Sequence, residues 1–264
     1  MLRYCSLFSG SSGNATYVGT ADGGLLIDAG VSAKRIEEAL HRRDIDPQTI
    51  RAVLVTHEHT DHIAGLRVLC RRYGWPVIAS MGTLDALAAD DRVCAGQRLF
   101  SIDPGQRFAV SGMSVTAFAT PHDSRQCLGF RVDGADGVSL ALATDMGYVT
   151  KETMQAITGC RLIHIESNHD PVMLRNGPYP LSLQKRILGA GGHLSNAACA
   201  AALPRLVEAG AQRIVLAHLS EHNNTPALAQ STSVNALSKA GMKQGRDYLL
   251  RTASPVGAEP VCYL

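Results

Sequence analysis

The segment Thr56-His57-Glu58-His59-Thr60-Asp61-His62 puts three imidazoles and a carboxylate within six positions, an H-x-H-x-D-H arrangement. Extended backbone alternates side-chain direction with a period of two, so His57, His59 and Asp61 lean to one side while His62 turns with the start of a helix. Independent placement would produce this pattern in roughly one chain in a thousand of this length and histidine content, so coincidence explains it poorly. Neutral imidazole and carboxylate suit Zn, Mn or Fe. The seven cysteines, at 5, 70, 94, 127, 160, 199 and 262, stand singly with no C-x-x-C pair. They argue against a closed structural zinc site or a disulfide scaffold and read as reduced, small apolar residues.

Two ions need more ligands than this loop supplies, and the elements that follow offer them. Apolar runs stop at His57, His122, Asp145, Glu166 and His218, five strand ends that each carry a ligand or catalyst. A carboxylate such as Asp145 is suited to bridge two ions held about 3.5–4 Å apart.

The expected strands are 15–19, 24–28, 52–56, 76–79, 114–120, 128–132, 138–144, 162–165 and 213–217, bounded by Gly, Pro or Asp. Helices are expected over 32–43 behind a Ser32 N-cap, 61–73 ending at Gly74, 183–188, 195–209 and 227–240. Such alternation predicts an α/β protein whose sheets are covered by helices, with functional side chains on loops at the carboxyl ends of strands. No Pro/Ser-rich linker, charge block or low-complexity stretch divides the chain, so residues 1–264 read as one domain.

Composition narrows the function. With 45% hydrophobic and 18% charged residues, disorder, collagen and coiled coil are excluded. No apolar run approaches the roughly 20 residues that cross a bilayer, so no membrane partner is expected. The start, Met1-Leu2-Arg3-Tyr4-Cys5-Ser6, turns polar before a signal-peptide core forms, which leads to the expectation of a cytoplasmic protein. Twenty-five Lys+Arg against 23 Asp+Glu give +2, so a basic surface has to come from local pairs such as Arg42-Arg43, Arg71-Arg72 and Lys185-Arg186. Aromatics make up 5%, too few for extensive base stacking.

The series His57, His59, Asp61, His62, His122, Asp145 and His218 resembles the metallo-β-lactamase superfamily. The resemblance implies a four-layer αββα sandwich with the metals at one rim. It implies His57, His59 and His122 on one divalent ion, Asp61, His62 and His218 on a second, and Asp145 between them. Ser9-Gly10-Ser11-Ser12-Gly13-Asn14, Glu166-Ser167-Asn168-His169-Asp170, Gly177-Pro178-Tyr179-Pro180, Gly192-His193-Leu194-Ser195-Asn196 and 217–224 are similar to the WalJ/YycJ-like branch. That likeness spans nearly the whole chain and implies a DNA exonuclease working 5′ to 3′ on the phosphate backbone, with a metal-bound hydroxide as nucleophile. The catalytic residues it implies are His193 as the acid for the leaving oxygen, Glu166 orienting it, and Asp61.

Plainer readings stand beside these. His193 also suits a residue leading into a helix capped by Ser195, and Asn168, His169, Asp170, Asn223 and Asn224 suit loop capping as well as ligand support. Ser9–Asn14 reads as a glycine-rich turn or a backbone-amide phosphate cradle. Arg125 and Arg71-Arg72 read as solvated surface or phosphate contacts. His222, His41 and His164 are given no chemistry. The alternative function is a small-molecule metallohydrolase acting on a thioester, lactone or cyclic phosphate; a non-catalytic, metal-stabilised binding module is the third.

Overall fold

A computed structural model describes residues 1–264. The first half supplies strands β1 (Arg3–Phe8), β2 (Ala15–Thr20), β3 (Gly23–Ile27), β4 (Ile50–Leu54), β5 (Val77–Ala79) and β6 (Leu99–Ser101). The second supplies β7 (Arg107–Val110), β8 (Met113–Ala119), β9 (Leu128–Gly134), β10 (Ser139–Ala143), β11 (Leu162–Glu166), β12 (Arg213–Ala217) and β13 (Leu249–Thr252), before β14 (Cys262–Tyr263) returns to pair with β1. They form two seven-stranded sheets, ordered β14-β1-β2-β3-β4-β5-β6 and β13-β12-β11-β10-β9-β8-β7.

Helices α1 (Ala33–His41), α2 (Thr60–Ile63), α3 (Leu66–Tyr73) and α4 (Met81–Ala89) belong to the first half, and α5 (Lys151–Ile157), α6 (Pro171–Asn176), α7 (Leu181–Leu188), α8 (Asn196–Glu208) and α9 (Pro226–Lys239) to the second. None is long and apolar enough to cross a membrane.

The period of two along each strand builds the layers. Leu25, Ile27, Ala52 and Leu54 of one sheet meet Phe130, Leu140, Leu162 and Val215 of the other in the central apolar layer. Their neighbours Leu26, Val53 and Val55 face outward onto Ile36, Leu40, Leu66 and Leu69. On the far side Ile163, Ile165, Ile214 and Leu216 pack on Leu203, Leu206, Ala229 and Leu237. Three apolar layers between four layers of structure give the expected αββα sandwich.

All nine expected strands form, with ends displaced by at most two residues. The expected helix over 61–73 is two helices broken at Gly65, whose N–H donates to Ala29 O (2.8 Å). A β-carbon at Gly65 would stand 2.3 Å from Val31 O, so the backbone bends where it touches the loop after β3. Ser32 occupies the N-cap position of α1 but its side chain makes no capping bond. Ser195 does cap α8, accepting from Ala198 N, and Gly74 ends α3 at φ 68°. All seven cysteines are free, five of them buried.

Candidate metal centre

Parallel register brings the strand ends to one edge. Ile27 lies opposite Leu54 in the first sheet; in the second, Ala143 lies opposite Ile165, and Glu166 opposite Ala217. The residues that follow, Asp28, His57, Asp145 and His218, therefore emerge at a common level. Asp28, Asp145 and His218 take positive φ (61°, 58° and 53°). That conformation costs non-glycine residues on the order of 1–3 kcal/mol and concentrates at functional sites.

Four side-chain groups result, one of them Asp145, Glu166, His193 and His218 and the other three made of motif residues alone. Ligand-capable atoms of His57, His59 and His122 lie within 4.8 Å of one another, as do those of Asp61, His62 and His218, and those of His57, His62 and Asp145. Asp145 touches both trios: Oδ2 is 3.4 Å from His62 Nε2 and Oδ1 is 4.0 Å from His122 Nε2. All seven residues named from the motif pattern are brought together.

Each of three rings has one nitrogen fixed from behind. His62 Nδ1 donates to Asp28 Oδ2 (2.8 Å), His122 Nδ1 to Gly192 O (3.0 Å) and His218 Nδ1 to Glu166 Oε1 (2.8 Å). That outer bond sets the tautomer and leaves Nε2 as a lone-pair donor facing inward. His57 Nδ1 meets Thr56 Oγ1 at 3.0 Å, and its buried Nε2 has no partner; neither has Asp145 Oδ2.

Electrostatics agrees with this geometry. Burial opposes charge on His62, yet Asp145, Asp28 and Asp61 surround it and hold its pKa well above the usual imidazole value. Burial likewise opposes charge on His218, where Asp145, Asp61 and Glu166 prevail. Burial, reinforced by His62 and His122, pushes His57 well below that value. A pocket whose carboxylates demand positive charge, and whose uncharged imidazole turns an unpartnered nitrogen inward, fits divalent ions.

Glu166 is fully buried and saturated. Oε1 accepts from His193 Nδ1 and His218 Nδ1, both at 2.8 Å, and Oε2 from Met146 N (2.9 Å) and Leu194 N (3.1 Å). Burial alone would raise its pKa, but His193 and His218 hold it well below the carboxylate range. The His193 ring stands 5.0 Å from that of His122 and 5.1 Å from that of His218, beside both trios.

The remaining candidates brace the backbone. Asn168 Nδ2 donates to His218 O (2.8 Å), Asn224 Nδ2 to Ser167 O and Asn168 O, and Asp170 caps α6. His169 is buried with both ring nitrogens unpartnered. In Ser9–Asn14 the amides of Ser9, Gly10, Gly13 and Asn14 bond within the fold, and Ser9 Oγ accepts from His218 N (2.9 Å), so the segment holds the loops rather than offering a full amide cradle. Arg125 is exposed, Arg72 pairs with Glu37, and His222 stands apart against Tyr179. Sequence reasoning missed Asp28, which binds Thr56 and His62; its signal was the carboxylate ending the strand read over 24–28.

Residues 24–219 match a family model described as "Beta-lactamase superfamily domain". The chain is 35% identical over 254 residues to "Exodeoxyribonuclease YycJ" of Bacillus anthracis, covering 96% of each chain. It is 36% identical over 262 residues to "Exodeoxyribonuclease WalJ" of Streptococcus pneumoniae strain D39, covering 98% of this chain and 97% of that one. Among solved structures, the metallo-β-lactamase fold protein YhfI from Bacillus subtilis superposes with a TM-score of 0.71 at 14% identity, over 98% of this chain and 99% of the other.

Proposed function

Since the chain belongs to the β-lactamase superfamily, and within it to the family of the YycJ and WalJ exodeoxyribonucleases, we propose that it is a metal-dependent phosphodiesterase that removes nucleotides from DNA ends, 5′ to 3′. One observation carries the reading: Asp145 contacts a histidine of each donor trio, and the Glu166–His193 pair stands directly beside them. His57, His59 and His122 would hold one ion and Asp61, His62 and His218 the other, with Asp145 between. Zn or Mn, and also Fe, suit such nitrogen and oxygen donors. When bound, the ions would polarise a phosphoryl oxygen and activate a water.

The chain's own groups do the rest. Glu166 fixes His193 through Nδ1, which leaves Nε2 to meet substrate and, when the ring carries both protons, to give its own to the departing 3′ oxygen. Asp61 Oδ2, 3.4 Å from Nε2 of both His62 and His218, is placed to orient the attacking water as well as to ligate. Asn168 and Ser9 keep the His218 loop in its strained conformation. The substrate contacts are with the DNA backbone and not sequence-specific, the setting is the cytoplasm, and residues 1–264 act as one domain. Incubation of the Mn²⁺- or Zn²⁺-loaded protein with duplexes labelled at either terminus is expected to release nucleotides from the 5′ end. No release with either ion, alongside turnover of a thioester, lactone or cyclic phosphate, would replace this reading by the small-molecule one.

A further inference from the structure

Asp123 follows His122 directly, and its N–H donates to Gly191 O (2.9 Å), which ties it to the segment carrying His193. Asp123 Oδ1 lies 3.4 Å from His122 Nε2 and accepts from Arg186 Nη2 at 3.1 Å, while Arg186 Nε bonds Oδ2. The guanidinium of α7 is thus locked in a bidentate pair against a residue that touches the donor set. Arg67 and Arg72 are also paired with acids, Asp91 and Glu37, but both lie on α3 and neither acid is near a histidine of the set.

An arginine offers five N–H donors in a planar fork. The carboxylate engages Nε and Nη2, so the outer donors remain free, and the side chain is 54% exposed. A fork held rigid loses little freedom on binding, and its geometry matches a phosphate. An isolated phosphodiester has one phosphate, which the ions would engage; a polynucleotide brings another about 3.4 Å further along the strand axis.

We propose that Arg186, positioned by Asp123, binds the phosphate next to the scissile one and makes this site favour a polynucleotide over an isolated phosphodiester. This rests on the nuclease reading given above.

The test compares kcat/KM on an end-labelled oligonucleotide duplex with kcat/KM on bis(p-nitrophenyl) phosphate, for the Mn²⁺-loaded wild type, Arg186→Ala and Arg186→Gln. Both variants are expected to lower the DNA-to-diester ratio about tenfold or more, chiefly through KM on DNA. Anisotropy of the same duplex without metal is expected to show the log-affinity against log-salt slope reduced by about 1, one phosphate contact. A ratio within twofold of wild type, an unchanged slope, or a loss in Arg186→Ala that Arg186→Gln lacks would overturn the assignment. Wild-type protein that cleaves the diester but not DNA would remove the nuclease reading itself, and Arg186's role with it.

Discussion

Asp28 Oδ2 stands 2.8 Å from Nδ1 of His62, and through this bond a buried carboxylate at the end of β3 sets the orientation of a ring in the donor set. Its Oδ1 accepts from Thr56 N at 2.8 Å, so one side chain ties the β3 end to the start of the histidine loop. Outer partners of this kind are worth about 10–100-fold in metal affinity. Asparagine tolerates the left-handed backbone that residue 28 adopts, at a φ of 61°. Asp28→Asn is therefore expected to weaken Zn²⁺ binding by that factor with little change in Tm. Asp28→Ala should lose stability too, because the left-handed backbone is then unsupported. Calorimetric titration with Zn²⁺ checks both; unaltered affinity in Asp28→Asn would leave Asp28 with a purely structural part.

His193 and His59 should separate cleanly. His193 Nδ1 is satisfied by Glu166, whereas His59 faces His122 with Nδ1 to Nε2 at 3.3 Å. His193→Ala is expected to keep metal content near normal while turnover falls about 10²–10⁴-fold, the usual worth of a general acid. His59→Ala and Asp145→Ala are expected to abolish hydrolysis together with metal, and His222→Ala to retain both. Metal analysis beside rate measurement decides; loss of both ions in His193→Ala would turn His193 into a ligand.

The legible and illegible parts of the chain differ for physical reasons. Ligand candidates sit at the ends of apolar strands, and strands such as 162–166 and 213–217 are buried on both faces, so an unbroken apolar run marks them. β6 and β7 are short edge strands with exposed residues and carry no such run. The helices α5 and α6 span only seven and six residues, and α4, Met81–Ala89, is apolar on nearly every side, so no periodic stripe stands out. Asp28 stayed hidden because a carboxylate that acts from behind a ligand obeys no spacing rule: its partners, Thr56 and His62, lie 28 and 34 positions away.

Gly30 tests how tightly the histidine loop must seat. A β-carbon there would stand 1.6 Å from Asp61 O and 2.5 Å from Asn14 N, both backbone atoms that cannot swing away. Gly30 N donates to Asn14 O (2.7 Å), and Asn14 N to Asp61 O (2.8 Å). Gly30→Ala is expected to push the Asp61 backbone outward, at a cost of about 1–3 kcal/mol or more. The melting temperature should fall and metal affinity should drop more on the Asp61, His62, His218 trio than on the other. An unchanged melting curve would show that the loops part without penalty.

His164, which is not one of the donor residues, gives the fold an acid sensitivity. It faces the central layer, where Nδ1 accepts from the Tyr4 hydroxyl (2.6 Å). Burial, aided by the Arg251 charge, lowers its pKa to about 3. An unfolded histidine titrates near 6.5, so between these values the unfolded chain binds a proton that the folded one refuses. The stability linked to His164 is therefore fully present above about pH 6.5 and is lost as pH falls toward 3, at up to about 1.4 kcal/mol per pH unit. His164→Gln keeps an acceptor for Tyr4 and removes the titration. Urea unfolding of both metal-free proteins from pH 7 to 4.5 is expected to show the wild type losing stability faster on acidification, the two curves drawing together below pH 6. Parallel curves would mean that the folded interior admits a proton on His164 as readily as water does.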